Sequence, residues 1–159
     1  MSTLTLIHVI ISLIAVAAGI IVAQGLIAAD RHERSTFVYM VTILLTSLTG
    51  FLFPFNGVTP GIIFGVITVL IFIPTAIARY KFHMAGIWRL VFIIGSLFMH
   101  YLNCVVLIVQ SFQKIPALKA LAPQGNELPL LVVQAALLVA FLIVGFLSVR
   151  RFRPHSLGT

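Results

Sequence analysis

Residues 4–29 read LTLIHVIISLIAVAAGIIVAQGLIAA, a run with no Asp, Glu, Lys or Arg. A helix of about 18 apolar residues already crosses the hydrocarbon core of a bilayer, so this stretch makes lipid the solvent. Four more apolar runs follow, at about 37–53, 60–78, 85–112 and 128–149. The expected fold is an all-α integral membrane protein, a five-helix transmembrane bundle forming one domain over residues 1–159. Composition agrees. Hydrophobic residues make up 61% of the chain and charged ones 8%, against ~45–50% and ~25% in a soluble domain. The first run continues well past Ala15-Val16-Ala17 and has no basic residue before it, so it reads as a retained span rather than a cleavable signal.

The connections carry turn and cap signals. Asp30 to Thr36 is polar, and Ser35 or Thr36 is the expected N-cap of the second helix. Asn56-Gly57 suits a tight turn, and Thr59-Pro60 suits N-cap and N1 of the third helix. Pro74 is expected to kink or loosen the third helix near its end. The fourth run is long enough to tilt or project. Residues 115–122 fit either an interfacial helix or an irregular loop.

The net charge of +7 is a topology signal. No basic patch interleaved with aromatics exists, so nucleic acid is not an expected partner. Lys and Arg in the first loop, third loop and C-terminal tail number two, three and three, against two in all on the other side. The positive-inside rule then puts the N-terminus outside and the C-terminus in the cytoplasm, which requires an odd number of spans. Tyr39, Tyr80 and Trp88 are expected at cytoplasmic span ends. Arg150, Arg151 and Arg153 fit the same signal, with anionic head groups as a secondary partner.

Polar residues inside lipid are costly, so their positions carry information. In the first span His8, Ser12, Ala15, Gly19 and Ala23 share one face. In the fourth, Ser96, His100, Asn103 and Gln110 form a similar stripe. The second span adds Thr42, Thr46, Thr49 and Gly50, and the fifth adds Gln134. Counting ~1.5 Å per residue puts most of these in the outer half of the bundle. The candidate ligand-binding set is His8, Ser12, Thr46, Thr49, His100, Asn103 and Gln134. The competing reading is packing: Gly61-x-x-x-Gly65 and the Ala15/Gly19/Ala23 stripe are close-packing devices, and buried amides and hydroxyls act as interhelical glue worth ~0.6 kcal/mol each.

No catalytic constellation is visible. Asp30, Glu33 and Glu127 all lie outside the apolar runs, leaving no acid–base pair in the membrane and no acid for a Ser-His-Asp triad. Cys104 is a single cysteine within an apolar run, and zinc lacks a third and fourth ligand. His8 and His100, offset by about one helical turn, are the candidate axial ligands of a b-haem. The leading expectation is a non-enzymatic accessory or assembly partner of a membrane complex, or a homo-oligomer, with no cofactor. A redox or small-ligand-binding protein is the alternative, and a small transporter or channel the third.

Three stretches carry a resemblance: Phe51 to Phe55, Ala78-Arg79-Tyr80 through Ala85-Gly86-Ile87-Trp88-Arg89, and Tyr101-Leu102-Asn103 through Gln110 and Lys114 to Pro123. Together they resemble small multi-pass membrane proteins of bacteria whose function is uncharacterised. The resemblance implies a bacterial cytoplasmic (inner) membrane and brings no catalytic residue with it.

Overall fold

The computed structural model describes residues 2–54, 57 and 59–153; Phe55, Asn56, Val58, Pro154 and His155, which the sequence reading used, lie outside the described residues. The elements are α1 (Thr3–Ala28), α2 (Glu33–Gly50), α3 (Pro60–Ala76) with a π-helical turn (Ile77–Lys81), α4 (Ile87–Lys114), α5 (Pro116–Leu121) and α6 (Leu128–Arg151). Among the described residues there is no strand. Four helices are long and apolar enough to cross a membrane: α1, α3 with its π-helical turn, α4 and α6. Helix α2 has 18 residues, about 27 Å at 1.5 Å per residue. It is less apolar because Glu33, Arg34 and several hydroxyl residues fall within it. The hydroxyls of Thr42, Thr46, Ser47 and Thr49 donate to the carbonyls of Val38, Thr42, Ile43 and Leu45, which satisfies them inside their own helix.

Several helix boundaries follow the local chemistry. Thr59 caps α3 by accepting from the Ile62 N–H at 3.3 Å, with Pro60 next to it. Pro74 sits within α3 without a donor, and the ladder slackens beyond it into the π-helical turn, where the Phe82 N–H bonds the Ile77 carbonyl at 3.1 Å. The expected cap at Ser35 or Thr36 is corrected. Helix α2 begins earlier, at Glu33, after His32 in the left-handed region with φ 39°. Glu33 is held there by Arg79 at 2.6 Å, and a carboxylate suits the positive end of the helix dipole. Thr36 instead donates to the Arg31 carbonyl at 3.0 Å.

Helices α1 to α4 close into a ring in which each packs on its sequence neighbour and α4 returns to α1; α6 docks outside, against α4 and α1. Its outward side chains, among them Leu131, Leu142, Ile143 and Phe146, are more than half exposed. So large a bare apolar face belongs in hydrocarbon rather than water.

The two ends of the ring differ. At the arginine end, where α1 finishes and α2 starts, the packing is closed. A Cβ added to Gly95 would land on the Thr75 hydroxyl, and one added to Gly19 would land in the His100 ring. The fully buried core, including Ala15, Ile43, Ala78, Phe92, Ile93 and Met99, fills the middle and this end. Arg79 is 4% exposed, bonded to Glu33, with its guanidinium 5.1 Å from the Phe92 ring centre. Arg89 staples α4 to the end of α6 through the carbonyls of Val149 (2.9 Å) and Phe152 (2.7 Å).

Tyr39 corrects another expectation. It is an interior residue, 1% exposed, whose hydroxyl crosses the ring to donate to the Ser96 carbonyl at 2.7 Å. Tyr80 is half exposed, and Trp88 stacks on Phe82 at 4.3 Å. Residues 115–122 do form a helix over Pro116–Leu121. Its Leu118 packs toward a small satellite core of Phe112, Ala122 and Leu130. The loop after it is closed by Glu127, whose carboxylate accepts from the N–H groups of Gln124 (2.8 Å) and Asn126 (3.0 Å).

Candidate functional site

The opposite end of the ring is hollow. The start of α1, the end of α2, the start of α3 and the end of α4 surround a cavity of about 860 Å³. That size lies within the range of ligand pockets, ~300–1,000 Å³. Its walls are mainly apolar, with Ile43, Phe64, Leu102 and Val106 among them. Gly65 and Phe51 shape one side: a Cβ on Gly65 would meet the Phe51 ring at 2.9 Å. The Gly61-x-x-x-Gly65 pattern is therefore not a helix–helix seam. Gly65 receives a ring from the preceding loop, and Gly61 borders the cavity, where an added Cβ would meet, among the described residues, only the Thr59 hydroxyl at 3.8 Å.

The polar groups are held in order. The Thr49 hydroxyl lies 2.7 Å from the Leu45 carbonyl and shares a hydrogen bond of 2.9 Å with His8 Nδ1. Phe53 stands edge-on to His8 with centres 5.3 Å apart. One turn deeper, Ser12 donates to Asn103 Oδ1 at 3.3 Å, and the Asn103 amide makes a long 3.5 Å contact back to the Ser12 carbonyl. Gln110 and Lys114 continue the Asn103 face of α4 toward the mouth, and both border the cavity.

Of the residues singled out in the sequence, His8, Ser12, Thr46 and Asn103 line the cavity. Thr49 supports His8 from behind. His100 and Gln134 are elsewhere. His100, 3% exposed, lies over Gly19, edge-on to Tyr39 at 6.0 Å and 5.3 Å from Phe141. Gln134 on α6 donates to the Val105 carbonyl at 3.3 Å, while its Oε1 is buried without a partner among the described residues.

A haem between His8 and His100 does not fit this arrangement. Asn103 is level with Ser12, so His8 lies a turn to one side of that level and His100 nearly a turn to the other. Side chains lean toward the N-terminus of their own helix, and α1 and α4 run in opposite directions. The two imidazoles are thereby pushed further apart, to about 10–16 Å along the axis. Two nitrogens on one metal must lie within about 4 Å of each other, given bonds of ~2.0–2.1 Å.

Lys114 was visible in the sequence only as a loop charge. The signal that finds it is spacing: Asn103, Gln110 and Lys114 are seven and four residues apart and so share one face of α4. It is the one charged side chain among the described residues lining the cavity. No family model, curated protein or solved structure matches the chain.

Proposed function

We propose that this chain is a multi-pass membrane protein of the bacterial cytoplasmic membrane that binds a small, largely apolar molecule in the cavity at its outer end. The observation that carries the reading is the cavity itself: about 860 Å³, apolar-walled, with His8, Ser12 and Asn103 converging on it. In this reading α2 is a fifth crossing, and the eight-to-two split of Lys and Arg puts the arginine end in the cytoplasm. The cavity then faces the outer leaflet. Reporter fusions test the topology: one joined after Arg153 should be active only in the cytoplasm, and one at the N-terminus only outside.

Occupancy is tested by native mass spectrometry of the full chain extracted in mild detergent. A bound small molecule is expected in the natural protein and absent from Gly61→Phe, which puts a ring into open space at the cavity wall. A natural protein that is always empty, or a Gly61→Phe variant that keeps its ligand, overturns the reading.

The assembly-partner reading rests on small-residue packing stripes and the absence of a reactive constellation; within the chain, Gly19 packs against His100 and Gly65 against Phe51. A transport reading has one observation in its favour, namely that the closed end opposite the cavity is held partly by an ion pair whose acid, Glu33, has a side chain 66% exposed. It predicts flux in proteoliposomes that rises when that pair is broken by Glu33→Gln.

A further inference from the structure

The cavity has one charge and no counter-charge. The chain has three acidic residues, and each is engaged elsewhere. Glu33 pairs with Arg79 at 2.6 Å, Asp30 faces His32 at 3.8 Å, and Glu127 closes its own loop through backbone N–H groups. Nothing acidic is left for Lys114, which borders the cavity at the last turn of α4. Because helical side chains lean toward their own N-terminus, Lys114 reaches back over the cavity rather than away from it. Gln110, one turn deeper on the same face, adds an amide donor. Beyond these the walls are mainly apolar, with the Ser12–Asn103 pair as a deeper polar point.

Resting on the ligand-binding reading above, we propose that the occupant is an anionic amphiphile drawn from the membrane. Its negatively charged head sits at Lys114 and Gln110, and its apolar body lies along Leu102, Val106 and Ile43. The chemistry of the cavity favours a lipid over a free anion. An inorganic anion would use the ammonium group and leave about 860 Å³ of mostly apolar space unfilled. Gln110 and Lys114 are exposed beside the cavity, so a charged head group can meet them while its apolar body lies inside.

The test uses the full-length protein reconstituted in vesicles of equal parts phosphatidylglycerol and phosphatidylcholine, then extracted gently for native mass spectrometry. Phosphatidylglycerol should dominate the one-lipid complex. Lys114→Gln should reduce that preference about fivefold, the size expected for one lysine at a lipid surface. Lys114→Arg should keep it. Replacing Arg150, Arg151 and Arg153 by Gln should leave it unchanged, which separates the cavity from the basic tail. Inorganic phosphate alone should give no thermal shift. Equal retention of the two lipids, an unaltered preference in Lys114→Gln, or a phosphate shift that Lys114→Gln abolishes would each overturn the proposal. Gly61→Phe keeps the two readings distinguishable. If it blocks lipid of either charge while the natural protein shows no head-group preference, the binding site stands and the anionic ligand falls. If lipid stays bound in Gly61→Phe, the site itself falls.

Discussion

The two ends of the same four-helix ring solve opposite problems with similar parts. At the arginine end glycine is used for contact: Gly95 lets Thr75 touch the α4 backbone, and Gly25 admits the His32 ring. At the open end glycine leaves room: among the described residues a Cβ on Gly61 would meet only the Thr59 hydroxyl at 3.8 Å, and one on Gly50 only the edge of His8 at 3.6 Å. Charges divide likewise. Arg79 and Arg89 are consumed by a carboxylate and by carbonyl oxygens, whereas Lys114 has no acid to meet. A glycine or a cation in a membrane helix thus has no fixed meaning until its neighbour is known.

The contrast breaks most readily at Gly95. Gly95→Leu forces α3 and α4 apart and should cost at least ~3 kcal/mol by the overpacking it creates, read as a large drop in Tm in detergent. The matched change Gly61→Ala should be neutral or stabilising by up to ~1 kcal/mol, since among the described residues its methyl makes only an ordinary 3.8 Å contact with Thr59 and it improves helix propensity. If both changes behave alike, the two ends are not packed differently.

Glu33→Gln comes next. It leaves the Arg79 guanidinium buried without its carboxylate, and because Glu33 itself is largely exposed the expected loss is ~1–2 kcal/mol, well short of a fully buried pair. Thermal denaturation at low and high salt checks this, with the natural protein losing little of the difference to screening. Asn103→Leu should cost less, ~0.5 kcal/mol for a lost interhelical hydrogen bond, while clearly lowering ligand retention. The same variant thus separates stability from binding at the open end.

The smallest effect is at Glu127. The backbone N–H of Gln124, with those of neighbouring residues, holds its carboxyl below the ordinary value of 4.5. A depressed folded value means the loop bonds contribute fully above pH 4.5 and are lost as pH falls through the lower, folded value. The Gln124 and Asn126 amide resonances should shift together in that acid range.

Much of the architecture was legible because apolar run length and turn chemistry are local. Residues 4–29, 60–78, 85–112 and 128–149 correspond to α1, α3, α4 and α6 within a few residues, and Thr59-Pro60 opens α3 as read. The start of α2 was missed because its cause, Arg79, is 46 residues away. Tyr39 looked interfacial by position, but the Ser96 carbonyl that holds it inside the ring is 57 residues away.

The site was half legible for a related reason. Periodicity put His8 and Ser12 on one face of α1, and His100 and Asn103 on one face of α4. It does not say how antiparallel neighbours are displaced. The lean of each side chain toward its own N-terminus carried His100 out of the cavity onto Gly19, and the same lean brought Lys114 in. Gln134 belonged to the helix outside the ring, which no intrahelical pattern reveals.

The peripheral seat of α6 bears on how the molecule is made. Ribosomes release α1 to α4 first, so the four-helix ring can close while the last segment is still being synthesised. Until then the Arg89 guanidinium has no protein carbonyls to meet, since those of Val149 and Phe152 arrive with the final turns. This pair of hydrogen bonds is therefore the last of the fold to form, joining the start of α4 to a segment made about sixty residues later.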